Sequence, residues 1–208
     1  MKRVLFFSIA ALTATIFTSC SKDKDDNKAE QPGATTESYI DASSNTAWHY
    51  YSFGEDKVLG SADESAENNA AWAARKDWDI AVRRYNIRTN SGEFTAAGAK
   101  GGVATQGTGV TFESLQKVPA GAIFVGDKAV TSSGMGGTTT VVRSEATVIL
   151  FKQNEDGSLV MPPVYLPAPT HIFRTADGEN YYKVRFTQYQ NAESVTGHVK
   201  FDRAKIPQ

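Results

Sequence analysis

Few side chains in this sequence can hold a transition metal. The one cysteine is Cys20, the histidines are His49, His171 and His198, and beyond Met1 the methionines are Met135 and Met161. Thiolate, imidazole and thioether are the donors that suit soft and borderline metals. His49 lies inside the aromatic run Trp48-His49-Tyr50-Tyr51-Ser52-Phe53, and His198 lies inside the final strand pattern. Both read more readily as half-buried or surface strand positions than as ligands. His171 follows Pro167 and Pro169 and begins a strand pattern, where a pocket edge could fall. Met135 sits in Ser132-Ser133-Gly134-Met135-Gly136-Gly137, with no apolar neighbour to pack against. Such a glycine-rich turn lets the backbone approach a flat ligand closely. Met161 precedes Pro162 and Pro163, which push it toward extended geometry on a stiff segment. On residue chemistry alone, filling a gap in apolar packing is the commoner role of a methionine, and the metal role stays open beside it.

Other chemistry is thin. There is no Gly-x-Ser-x-Gly, no His-Glu-x-x-His and no P-loop. Gly98-Ala99-Lys100-Gly101-Gly102 lacks the Gly-Lys-Ser/Thr ending and reads as a loose turn. Asp77 and Asp79 flank Trp78 but would alternate across a strand, which does not suit a carboxylate pair. No enzyme is expected.

Cys20 has its own context. Lys2 and Arg3 precede an apolar run from Val4 to Phe17, too short to span a bilayer and ending in small residues, which is the layout of a secretory signal. Phe17-Thr18-Ser19-Cys20 resembles the bacterial lipobox, in which the cysteine thiol carries diacylglycerol and becomes the first mature residue. An ordinary secretion signal with an incidental cysteine is the alternative. With residues 1–19 removed, the chain keeps 20 basic against 23 acidic residues, a weakly acidic balance that argues against nucleic acid. No second cysteine exists for a disulfide. Residues 20–37, rich in Asp and Lys at their start, bury too little apolar surface to fold and read as a tether. The Asp-rich run behind Cys20 resembles an export signal that places lipoproteins on the outer face of the outer membrane. Membrane contact is then through lipid alone.

Residues 38–208 read as one all-β domain of mostly antiparallel strands and hairpins, with at most one or two short helices. Strand patterns occupy residues 48–53, 79–87, 138–142, 146–151, 171–175, 181–189 and 197–201. Asn154-Glu155-Asp156-Gly157 and Ala176-Asp177-Gly178-Glu179 read as hairpin turns. In the run 181–189, Tyr182, Val184 and Phe186 share one face and Lys183, Arg185 and Thr187 the other. The Ala-rich stretch 64–76 reads as a helix, with Ser61 or Ser65 as its cap.

Trp78-Asp79-Ile80-Ala81-Val82-Arg83-Arg84-Tyr85-Asn86-Ile87-Arg88-Thr89-Asn90-Ser91-Gly92 resembles the signature of the HmuY-like haem-binding lipoproteins. So do Tyr181-Tyr182-Lys183-Val184-Arg185-Phe186-Thr187-Gln188-Tyr189 and Gly197-His198-Val199-Lys200-Phe201. The lipobox, the aromatic strand and these runs occur in the family's order. The resemblance implies a single HmuY-like domain at the cell surface that captures haem and passes it to a TonB-dependent outer-membrane receptor. Host haem proteins would be its sources, and a fraction could be released extracellularly. It implies iron held between two axial side chains, His in some members and Met in others. Met135 and Met161 fall in the regions that resemble the ligand-bearing hairpins, with His171 as the alternative. A surface lipoprotein that binds glycan or protein through exposed rings of residues 48–53 is the competing expectation.

Overall fold

The computed structural model describes residues 33–134 and 137–208. Two residues singled out above, Cys20 and Met135, lie outside the described residues. In chain order the elements are β1 (Thr36–Asp41), β2 (Ala47–Ser52), β3 (Lys57–Asp63), α1 (Ala66–Ala73), β4 (Ile80–Arg83), β5 (Asn86–Thr89), β6 (Gly102–Thr105), β7 (Lys128–Gly134), β8 (Gly137–Arg143), β9 (Ile149–Phe151), β10 (Tyr165–Pro167), β11 (His171–Arg174), β12 (Tyr181–Gln190) and β13 (Thr196–Ile206).

A five-stranded sheet, β1-β13-β12-β11-β6, faces a four-stranded one, β3-β2-β4-β5, and two separate two-stranded hairpins, β7-β8 and β9-β10, complete the domain. The strand pairings are antiparallel. The fold is therefore the all-β, antiparallel domain expected, with one short helix.

The alternation read in residues 181–189 explains the main core. Tyr182, Val184 and Phe186 of β12 join Ile40, Tyr51, Phe53, Ile80, Val82, Ile87, Phe173, Val199 and Phe201 between the two sheets. The other face of β12 is less open than its charges suggest. Lys183 is buried, its Nζ donates to the Phe112 carbonyl at 2.9 Å, and the ammonium lies 4.4 Å from the Phe112 ring centroid. The lysine stem covers apolar surface while the head keeps a carbonyl partner.

A second cluster, Trp48, Tyr50, Trp72, Trp78, Ala81 and Phe94, fills the space between α1 and the back of the four-stranded sheet. Tyr50 stacks on Trp72 with centroids 3.8 Å apart. Ser65 caps α1 by accepting from the Asn68 N–H at 3.1 Å, which satisfies one of the free donors of the first turn.

Residues 79–87 are not one alternating strand. They form a tight hairpin, β4 and β5, that turns at Arg84 and Tyr85. Arg84 has φ 56°, a left-handed conformation unusual for a residue with a Cβ. Its guanidinium donates to the carbonyls of Ser43 and Thr196, both at 2.9 Å, so tertiary hydrogen bonds hold a turn that no Gly or Asn announces. Residues 101 and 102 likewise lead into β6 rather than forming only a loose turn.

Candidate functional site

The hairpins β7-β8 and β9-β10 form sheets separate from the two main ones, and the segment between them is bonded to the β4-β5 turn and to the strand that follows it. The Tyr85 carbonyl accepts from the Val148 N–H and the Thr147 hydroxyl, each at 3.0 Å. The Ile87 carbonyl accepts from the Ser144 N–H and hydroxyl, each at 2.9 Å. These bonds fix the segment that joins the two hairpins.

The first leg of β7-β8 starts at Asp127, which is buried. Its carboxyl group accepts from the Thr89 N–H at 2.9 Å and from the Thr89 hydroxyl at 2.6 Å. The Asp127 N–H donates to Ser91 Oγ at 3.3 Å, and its carbonyl accepts from the Glu93 N–H at 2.9 Å. Burial pushes the Asp127 carboxyl up to about 7, against the pull of the Thr89 hydrogen bonds and the Arg88 charge.

The second leg is held by Arg88. Its Nε donates to the Val142 carbonyl at 2.9 Å, and Nη2 reaches both carboxylate oxygens of Glu64 at 3.2–3.3 Å. The fully buried guanidinium lies 4.0 Å from the ring centroids of both Trp48 and Phe94. Pairing, backbone acceptance and aromatic faces together offset the cost of burying that charge. Burial raises the pKa of Glu64, but hydrogen bonds from Asn69 and Trp48 and the charges of Arg88 and Arg83 outweigh it and hold the carboxylate low.

Met161 lies on the second hairpin, between β9 and β10, and is 73% exposed. Leu150, Leu159, Val164 and Leu166 are exposed on the same hairpin. The opposite face is anchored: Tyr85, Phe151, Tyr165 and Tyr189 contact edge to face in series, with centroids 5.0–5.6 Å apart. A cleft of about 180 Å³ lies between this anchored face and β12, lined by Val148, Ile149, Tyr165, Phe186 and Tyr189 among others. It is below the roughly 300 Å³ at which pockets begin to enclose a drug-sized molecule. A larger cavity of about 400 Å³, lined by Lys117, Phe124, Arg174 and Tyr181, sits at the outer face of the five-stranded sheet and does not include Met161.

His171 is in the core. Its Nε2 is paired with the Thr147 carbonyl at 3.2 Å, and Nδ1 with the Thr105 hydroxyl at 3.1 Å. A carbonyl can only accept, so Nε2 carries the proton and Nδ1 receives one from Thr105. Burial pushes the imidazole down to about 4, which leaves it neutral and fully engaged. His49 pairs with Ser61 Oγ at 2.7 Å and His198 with the Tyr39 hydroxyl at 2.6 Å. Among the described residues no group of three or more His, Cys, Asp or Glu side chains could hold a metal ion.

Asp79 is a staple rather than a catalytic group. It accepts from the Phe53 and Ala176 N–H groups at 2.8 and 3.0 Å, and burial raises it to about 6. The rings Trp48, Tyr50, Tyr51 and Phe53 are all buried. An exposed aromatic patch at residues 48–53 is therefore absent, and with it the feature that would have carried a glycan- or protein-binding reading. The signal missed in the sequence was Arg88, Thr89 and Asp127: their role depends on pairings across dozens of residues.

Two facing sheets with two separate hairpins define a small antiparallel β-domain. Residues 44–202 match the family model described as HmuY protein, and the chain belongs to that family. It is similar in structure to a protein of Bacteroides vulgatus named as HmuY-like and haem-binding, with 26% identity, a TM-score of 0.57, and coverage of 82% of this chain and 91% of that one. A protein of Bacteroides fragilis named as a lipoprotein shares the fold at 22% identity and a TM-score of 0.53, covering 82% and 88% of the two chains. The apo HmuY analog of Tannerella forsythia shares it at 21% and 0.50, covering 88% and 100%. No match was found among curated proteins.

Proposed function

We propose that this chain is a cell-surface lipoprotein that binds haem through two axial methionines, Met135 and Met161, and passes it to a TonB-dependent outer-membrane receptor. The observation that carries the reading is Met161, left 73% exposed on a hairpin that also exposes Leu150, Leu159, Val164 and Leu166. Exposed apolar surface of this kind marks a binding face, and a porphyrin is a flat apolar body with a polar rim. Family membership and the haem-binding relative of Bacteroides vulgatus support the ligand class. The His171 alternative is disfavoured because both ring nitrogens are already engaged.

A thioether is soft, polarizable and uncharged. Ferrous iron is softer than ferric, so a methionine pair holds ferrous haem better. It has no proton to exchange, so ligation survives mild acid that would charge an ordinary histidine, whose pKa is about 6.5. Cys20 would carry the lipid anchor. No helix among the described residues is long and apolar enough to cross a membrane.

Titration of the purified protein with haem, before and after dithionite, tests the reading. One haem per chain, tighter binding on reduction, and bands that persist at mildly acidic pH are expected. No binding in either redox state contradicts it and returns the field to a lipoprotein with another ligand.

A further inference from the structure

We infer that the cavity of about 400 Å³ on the outer face of the five-stranded sheet binds a small organic carboxylate with an aromatic body. The site is separate from the β9-β10 hairpin and shares no residue with it. Arg174 of β11 and Tyr181 of β12 are register partners and line it from the sheet. Most of the other lining residues belong to the segment 117–124, which crosses that face. Val118 and Phe124 of this segment pack with Leu115 against Ile172, Tyr181 and Ile206.

The segment is pinned at both ends, so the cavity is built into the fold. At one end the Val118 N–H donates to the Pro207 carbonyl at 2.9 Å. At the other, Val125 and Val103 exchange two backbone hydrogen bonds, at 2.9 and 3.0 Å. Between them the Ala122 N–H donates to the Pro119 carbonyl at 3.1 Å and closes a turn. Gly102 lets the segment lie close, since a Cβ there would fall 3.3 Å from the Phe124 Cβ.

The chemistry of the lining selects an anion. Lys117 is exposed and has no ion pair or hydrogen bond among the described residues. Arg174 donates from Nε to the Lys100 carbonyl at 2.6 Å and from Nη2 to the Gly101 carbonyl at 3.3 Å. Those neutral acceptors hold the guanidinium in place without cancelling its charge. Tyr181 is only 8% exposed, yet its hydroxyl has no hydrogen-bond partner among the described residues. A buried tyrosine hydroxyl usually has one. A carboxylate is the group that accepts from an ammonium, a guanidinium and a hydroxyl alike.

The aromatic body follows from the rings and the size. Phe124 and Tyr181 have centroids 5.3 Å apart and planes tilted by 51°, so neither ring covers the other. The Arg174 guanidinium lies 5.2 Å from the Phe124 centroid, which sets charge beside an aromatic face. The volume falls within the range of roughly 300–1,000 Å³ typical of small-molecule sites, and a bare inorganic anion would fill little of it.

Titration of the purified protein with phenylacetate tests this, followed by the amide NMR signals of residues 117–124 and 181. Saturable shifts of those signals are expected. Benzyl alcohol keeps the ring without the charge, and acetate keeps the charge without the ring; each should bind at least about fivefold more weakly. Lys117→Gln and Tyr181→Phe should each weaken phenylacetate by about fivefold or more, and raising salt should weaken it in the wild type. Lys117→Gln alters an exposed side chain and Tyr181→Phe keeps the ring against Phe124, so both variants keep the fold. The absence of saturable shifts overturns the inference. So does benzyl alcohol or acetate binding as tightly as phenylacetate, or wild-type affinity in either variant.

Discussion

The Nε2–H of His171 donates to the carbonyl oxygen of Thr147 at 3.2 Å. Thr147 lies in the segment joining the two hairpins, so the buried His171 ties that segment to the core. His171→Ala should lower thermal stability, since it removes a buried ring and leaves the Thr147 carbonyl short of a donor, a loss of about 2–4 kcal/mol. The absorption bands of reduced haem should stay as in the wild type. A changed ligand-field spectrum in this variant, with the fold intact, would make His171 a ligand.

Stability should fall as pH rises from about 4 to 7. Asp79 and Asp127 are raised to about 6 and about 7. Their neutral forms suit the fold, so their stabilisation is complete below the unfolded value of about 3.9 and is lost as pH climbs through the folded values. His171, depressed to about 4, acts oppositely: its contribution is present above about 6.5 and lost as pH falls toward 4. His49, also lowered by burial, acts with His171, and the decline expected is the margin by which the two carboxyls outweigh the two imidazoles. Urea unfolding between pH 4 and 7.5 should show the decline, and Asp127→Asn should make it shallower. An unchanged slope in Asp127→Asn would mean that Asp127 is ionised in the fold throughout.

Two glycines in left-handed backbone give a controlled comparison. Gly92 has φ +57°, and a Cβ there would fall 2.6 Å from the Asp127 amide nitrogen and closer still to its carbonyl oxygen. Gly98 has φ +64° with nothing within 4 Å. Gly98→Ala should therefore cost only the backbone term, about 1–2 kcal/mol. Gly92→Ala should cost clearly more in chemical denaturation and should loosen the β7 root. Equal losses would show that the 92–127 approach is not tight.

Much of this fold is written locally. The alternation of Tyr182, Val184 and Phe186, the Asp177-Gly178 turn and the Ser65 cap each follow from a few adjacent residues, and the structure bears them out. The β4-β5 turn was not legible because Arg84 and Tyr85 are not turn formers. The Arg84 contacts that hold them lie 41 and 112 residues away in sequence. The hairpin root was hidden for the same reason: Thr89 meets Asp127 across 38 residues and Arg88 meets Val142 across 54. Of the candidate ligands, Met161 reads from its prolines as lying on a stiff extended segment, and the structure leaves it 73% exposed between β9 and β10. The position of His171 beside the same prolines suggested a pocket edge, and its place in β11, between β12 and β6, buries it instead.

Ferrous-haem titration of the wild type beside Met161→Ala, Met135→Ala and His171→Ala is the most direct test of the methionine pair. Each methionine variant should weaken ferrous binding by about tenfold or more, as loss of a metal-site residue does, while His171→Ala keeps near wild-type affinity. Ferric binding lost only in His171→Ala, with both methionine variants unaffected, would contradict the account.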